Sequence, residues 1–473
     1  MKKNSLLLPL RFFLYVGLFF FLAACSHTVN NEVAPLIEDG SVYSLSDEGG
    51  EEIKEKWWLA FNDPRLDELI NKALSDSFTL KSFYARTIQA ASLEKQANAV
   101  RKPPLTGELS QSSDWDSDGE RSDTSALELG LSWELDLWSR LSSAEKALLL
   151  ENEATGEDLA GAALILGSQV AHTYYQIIET QAQLRLLKSQ IEVGERFLHL
   201  IELRFKNGKA SLVDIYQQRQ QVAALKSQLP PLRAKLSLLA NGLHVLLGRV
   251  PSGEFKEEAN SLPELPPLPK TGIPADLLIK RPDLRVRHKR LVAADYRVAE
   301  AVAGRLPAIK LFASGGLRGD ALSGSNRFYS LMGELVMPII DWGRRKAEVE
   351  RRKAIVDEQL ALYTQAFLLA IEEVENALRQ EKEQLALIEA LGEQYEIAGE
   401  TLGETRKRYL QGVSDYLPLL TALQSVQKLE QDMLREKGEL ISNRILLYRA
   451  LGGSKFSPLD KPDNEPHREN EEL

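Results

Sequence analysis

Six histidines are the first residues to weigh as bases or ligands: His27, His172, His199, His244, His288 and His467. None stands beside another in the HExxH spacing that puts two imidazoles on one helix face toward a metal. They read as satisfied or solvent-exposed side chains. There is no GxSxG turn to present a nucleophile. Gly208 and Lys209 are followed by Ala210, and Leu203 stands five positions before Gly208 where a phosphate-cradling loop needs glycine. The charged run Arg344, Arg345, Lys346, Glu348, Glu350, Arg351, Arg352 and Lys353 has the pattern of a solvated helix face. No enzymatic activity, metal or cofactor is expected.

One thiol is left to place. Cys25 is the only cysteine, so no disulfide can form within the chain. Before it come Lys2, Lys3 and Arg11, then an uncharged apolar run from Phe12 to Ala24. That run is too short to span a bilayer as a helix and suits a signal-peptide core. Leu22, Ala23, Ala24 and Cys25 resemble the bacterial lipobox, which implies that Cys25 is lipidated and becomes the first mature residue. No later stretch reaches eighteen apolar residues, so any membrane crossing falls to strands. The net charge is -10, and removing the leader makes the chain more acidic. Nucleic acid is therefore not expected as a partner, and the lipobox-like cysteine points to membrane lipid.

The elements follow from hydrophobic period. Leu127, Leu129, Leu131, Trp133, Leu135 and Leu137 alternate with Glu128, Gly130, Ser132, Glu134 and Asp136, which predicts a strand with one apolar face. From Trp138 to Asn207 there is no proline, and Leu159, Ala163, Leu166, Val170, Tyr174 and Ile177 recur at three and four residues. This predicts one helix about 100 Å long with a coiled-packing seam. Helical spacing is also expected from Pro64 to Arg101. A first strand follows from Leu105 to about Ser110, with a polar loop from Ser112 to Ser125. Asn207 and Gly208 stop the long helix, and a return helix runs from Ser211 to Leu247, interrupted at Pro230 and Pro231.

The pattern then repeats at one offset of 204 residues. It pairs Pro103 with Pro307, Leu127 with Leu331, Trp138 with Trp342, Gly208 with Gly412 and Gly248 with Gly452. Punctuation matching at strand, helix start and turn implies two copies of one unit. The expected organisation is a signal peptide (1–24), a lipidated tether (25–56), a first repeat (57–253), a proline-rich linker (254–274), a second repeat (275–457) and a polar tail (458–473).

Each copy holds two strands, and four open-edged strands cannot face lipid. Two chains would close eight strands around a filled interior, and three would close twelve around a pore. A homotrimer is the smallest assembly expected to conduct. Pro103, Trp138, Pro307 and Trp342 mark the expected junctions between barrel and helices.

WWLAFNDPRLDELINKAL (57–74), LGLSWELDLWSRL (129–141), IKRPDLRVRHKRLVAAD (279–295) and the turns RFKNGKASLVD (204–214) and RYLQGVSDYLPLL (408–420) resemble outer-membrane efflux lipoproteins. The resemblance is to the NodT-type, OprM-like branch of the TolC superfamily and covers nearly the whole mature chain. It implies a mainly α fold with β structure: tandem repeats building a trimeric twelve-stranded β-barrel continued by a long α-helical barrel. It also implies a periplasmic adaptor protein and an inner-membrane pump as partners. The family's adaptor-contacting tips map onto Arg204, Gly208 and Ser211, and onto Arg408, Gly412 and Asp415. Its periplasmic aperture maps onto Leu417 and Thr421.

Thr421 stands where the family has an aspartate, and threonine cannot form a ring of carboxylates. A Leu417 collar is expected instead, with any acidic ring drawn from Asp415 or Asp214. Pro418, opposite Asp214 in the first copy, requires its helix to begin no earlier than one turn before it. Two other functions stay open: the outer-membrane duct of a type I protein-secretion system, and a non-conducting coiled-coil structural lipoprotein. The four amphipathic strands favour a channel.

Overall fold

The computed structural model describes residues 27–36, 43, 56–255, 262–320 and 326–453. Cys25, the leader and the tail from 454 lie outside the described residues. A 3-10 turn at Trp57–Phe61 precedes α1 (Pro64–Asp76) and α2 (Phe78–Val100), which lead into strands β1 (Leu105–Trp115) and β2 (Arg121–Leu135). The long α3 (Arg140–Lys206) returns through α4 (Leu212–Ser227) and α5 (Leu229–Leu246). The second copy holds α6 (Leu277–Lys280), α7 (Pro282–Ala303), β3 (Ala308–Gly319), β4 (Asn326–Val336), α8 (Arg344–Gln411) and α9 (Tyr416–Ala450).

Several boundaries differ from the sequence expectation. The helix expected from Pro64 to Arg101 breaks at Ser77, whose backbone is extended (φ -59, ψ 125). There Gly248 packs so closely that a Cβ would lie 2.7 Å from the Asp76 carbonyl oxygen. The β1·β2 ladder continues to Trp115 opposite Arg121, well into the residues expected to form a loop. Polar cross-strand pairing sustains it: Ser113 Oγ donates to Asp123 at 2.5 Å, and Arg121 Nη2 donates to Ser113 Oγ at 3.3 Å. β4 begins at Asn326, ahead of the Leu331 that the 204-residue period pairs with Leu127, and stops at Val336. Pro338 cannot donate to a ladder. In α9 Pro418 falls in the first turn, as it must. Among the described helices, α8 contains a window apolar enough for a membrane span, where none was expected; a helix with one packed apolar face meets the same criterion.

The residues divide into two compact units. The first takes the described N-terminal residues with Tyr84–Asp158 and Asp283–Ala366. Its sheet is antiparallel throughout in the order β1-β2-β3-β4, so β2 and β3 join the two copies. Beside the sheet, α3 and α7 face each other with opposite charges. Arg285 pairs with Glu157 at 2.6 Å, Lys289 with Glu153 at 2.6 Å and Arg290 with Asp158 at 2.6 Å. In this unit the N-terminal residues are docked: His27 Nε2 lies 2.5 Å from Asp295 Oδ1, and the Leu36 amide donates to Thr364 Oγ1 at 3.2 Å.

The second unit takes Asp39–Phe83, Leu159–Pro282 and Phe367–Leu473 as far as they are described. Its largest apolar core joins Trp57, Trp58, Phe61, Ile70, Val170, Tyr174, Ile177, Leu243 and Tyr448. Trp57 stacks on Tyr448 with ring centroids 5.5 Å apart. Each fully buried side chain of this size contributes roughly 1.5–3 kcal/mol. Arg444, buried against Glu381, also donates to the Pro267 carbonyl at 2.9 Å and so pins the proline-rich segment to α9. A lone charge left there would be costly, so both partners are needed together.

Candidate conduit and helical turns

Alternation along four paired strands sorts the sheet into two chemically distinct faces. One carries Leu105, Leu109, Leu127, Leu129, Leu131, Leu311, Leu317, Leu331 and Leu335, and among the described residues its charges fall only at the hairpin ends, Arg121, Asp123 and Arg327. The other carries Glu108 opposite Glu128, Glu134 opposite Lys310, and Lys310 opposite Glu334. Arg318 lies 4.0 Å from Glu128 and stacks over Phe328 at 5.2 Å. Leu105, Leu109, Leu129, Leu331 and Leu335 are 55–84% exposed in the single chain, and β1 and β4 each keep one edge without a strand partner among the described residues. An apolar exposed face backed by a polar one is what a strand needs when lipid lies on one side and water on the other.

The four junction residues fall beside this sheet and differ sharply. Trp138 donates its indole N–H to the Pro307 carbonyl at 2.7 Å, and Pro307 is buried. Trp342 is 96% exposed and Pro103 is exposed. Asp136 starts α3 by accepting the Leu141 amide at 2.9 Å and the Ser142 amide at 2.8 Å, and these bonds hold its carboxyl below the usual range against the opposing effect of its burial. In α8, Glu348 is held at about 2 by hydrogen bonds from Arg351 and Arg352. Arg351 and Arg352 of the basic run thus find their partner within α8, whereas Arg345 donates to the Gly304 carbonyl at 2.9 Å.

The turns after α3 and α8 share one geometry. Gly208 (φ +69) and Gly412 (φ +76) each occupy the left-handed region. The next amide reaches back to the final helical turn, Lys209 to the Arg204 carbonyl at 2.8 Å and Val413 to the Arg408 carbonyl at 3.0 Å. Glycine is the residue that enters this region without steric cost. Ser211 caps α4, and Asp214 reciprocates by accepting the Ser211 amide at 2.9 Å. Asp415 caps α9 without a side-chain cap bond and is exposed. Arg204 donates to the carbonyls of Tyr409 and Leu410, both at 3.2 Å, with its guanidinium 4.6 Å over the Tyr409 ring. It thereby ties the first turn to the second. Arg408, its counterpart in the repeat, is exposed.

Leu417 is 56% exposed, and Thr421 donates its hydroxyl to the Leu417 carbonyl at 3.0 Å. Both therefore present an open surface near the second turn. A polar layer behind them has no counterpart in the sequence reading. Tyr416 donates to Gln218, Gln218 Nε2 donates to the Gly194 carbonyl at 2.7 Å, and Gln190 donates to the Gln427 carbonyl at 2.9 Å. Burial, followed by Tyr409 and Asp214, pushes the Tyr416 hydroxyl up and keeps it a donor. The available signal was Gly194 in the α3 seam, since its missing side chain admits Gln218 and Val222.

Comparison with known proteins places the whole arrangement. The sequence profile described as "Outer membrane efflux protein" matches residues 69–249 and 273–453, two spans displaced from each other by the same 204-residue period. The toluene efflux pump outer membrane protein TtgF of Pseudomonas putida is 30% identical over 420 residues, covering 84% of this chain and 85% of its own. Nodulation protein T of Rhizobium leguminosarum bv. trifolii is 28% identical over 475 residues, covering 96% and 99%. Among solved structures, the outer-membrane channel OprN superposes with a TM-score of 0.82 at 26% identity, covering 89% of this chain and 99% of that one.

Proposed function

This chain belongs to the outer membrane efflux protein family, and from that premise we propose that it is one third of a passive exit duct whose transport is driven elsewhere. It is an outer-membrane efflux channel with a periplasmic helical part and no enzymatic role. Three copies supply the strands of a twelve-stranded barrel, with the leucine face toward lipid and the face bearing Glu108, Glu128 and Lys310 toward the lumen. Cys25 carries the lipid. The turns at Gly208 and Gly412 meet a periplasmic adaptor through Arg204, Ser211, Arg408 and Asp415, and an inner-membrane pump completes the pathway. Leu417 forms the collar of the aperture and Thr421 lines it beside the exposed Asp415, while Asp214 is engaged by the Ser211 amide.

One observation carries this reading: a sheet with an apolar face, a charged face and two open edges, built from both repeats. A coiled-coil structural protein has no use for such a sheet. Relatives named for toluene and pyoverdine export point to small, toxic or secreted molecules as cargo, and they favour a pump over a protein-secretion system. Deleting the gene and measuring growth against a panel of solvents, dyes and antibiotics tests the function. Increased susceptibility to at least one class, restored by the intact gene, is expected; unchanged susceptibility to every class contradicts it.

A further inference from the structure

The 204-residue period carries Glu108 onto Phe312 and Glu128 onto Met332. Within each hairpin the two are directly opposed across the strands, Glu108 with Glu128 in the first and Phe312 with Met332 in the second. Gly316, which faces Glu128, lies on the same side of β3 as Phe312, so all four stand on the charged face. Equivalent positions have thus diverged into a carboxylate pair and an aromatic–thioether pair. Like charges held directly opposite one another cost stability. Arg318 approaches Glu128 to 4.0 Å, but its guanidinium is also engaged over the Phe328 ring at 5.2 Å. Between the two pairs the face is hollow. Glu128, Phe312 and Met332 wall a cavity of about 320 Å³, floored by Ser132, Ser314 and Ser330. Gly130 leaves it open at the position where the second hairpin carries Glu334.

We propose that this hollow is a transit site for organic cations that bear an aromatic ring. The ring lies against Phe312 and Met332, and the cationic centre lies against Glu128 and the opposed Glu108. Met332 is 52% exposed and Phe312 is half-buried, so a thioether and a ring face are both within reach of a passing molecule. Together they form a soft, polarizable surface suited to a second ring. The carboxylate in the same hollow selects positive charge, and a cation seated there offsets the repulsion between Glu108 and Glu128. The cavity is near the lower bound for small-molecule sites, and its floor of hydroxyls tolerates the water that accompanies a charged guest. Such a site holds its guest briefly, as a duct requires.

The proposal rests on the channel reading, with the charged face toward the lumen, and current recordings separate the two. Purified full-length protein in planar bilayers is titrated with benzyltrimethylammonium and with tetramethylammonium, which carries the same charge without the ring. The concentration that halves the current is expected to be lower for the ringed cation. Phe312→Leu keeps apolar bulk and removes the ring. It is expected to raise the half-blocking concentration of benzyltrimethylammonium about three-fold, the scale of one aromatic contact, and to leave that of tetramethylammonium where it was. Glu108→Gln with Glu128→Gln is expected to raise both. A shift of both cations, or of neither, in the Phe312→Leu variant overturns the site, as does equal block by the two cations in the native protein. If native protein conducts and neither cation blocks it, the site is overturned while the channel stands. Native protein that carries no current overturns the channel reading and the site together.

Discussion

Glu179 is a carboxylate 7% exposed on α3, accepting Gln183 Nε2 at 2.7 Å. It fits because residue 438 is glycine, where a Cβ would lie 2.8 Å from its carboxyl carbon. Burial pushes its pKa up; Lys235 and Arg435 oppose this, while Glu439 and Glu436 add to it. A carboxyl whose folded pKa is raised favours the fold while protonated. Its stabilisation is present at acid pH and is lost as pH rises through the raised value. Glu179→Gln is expected to raise the melting temperature at pH 7 by about 1–2 °C, the shift of a kilocalorie-scale change in a chain of this length, and to give no gain at pH 4; a variant less stable at pH 7 contradicts this. At the same scale, Thr421 spends its hydroxyl on the Leu417 carbonyl, which accords with a collar built from leucine rather than from charge.

At the scale of elements, the sheet makes a sharp prediction about two neighbours on β1. Leu109 belongs to the leucine face and Ser110 to the charged face. An arginine facing lipid at the bilayer midplane costs roughly 2–4 kcal/mol, and one facing water costs little. Leu109→Arg is therefore expected to reduce outer-membrane assembly while Ser110→Arg assembles normally, measured by fractionation; equal loss in both contradicts the assignment of faces. The long helices, the turns and the duplication were legible in the sequence because period and glycine punctuation are local signals. Gly208 and Gly412 needed only their own backbone to act. The ends of the strands were not, since the β1·β2 ladder beyond Ser110 is held by Ser113, Arg121 and Asp123 in pairs that no alternation reveals. The break at Ser77 was hidden as well, since the close approach of Gly248 to Asp76 brings together residues distant in sequence. The Gln218 and Gln190 layer depends on which helices face each other, and a glutamine at a seam position reads as a gap until its partner is known.

For the whole molecule, the two repeats supply a sheet with two open edges and a pair of glycine turns, and the account holds that three copies turn these into a pore narrowed at Leu417. Single-channel recording in planar bilayers tests that directly, using purified protein and a Leu417→Ser variant. Discrete conductance steps from the trimeric fraction are expected, with larger steps from the variant because a bulky apolar collar has been replaced by a small polar one. Bilayers that stay silent with folded trimer, or steps of identical size from both proteins, would contradict the central claim.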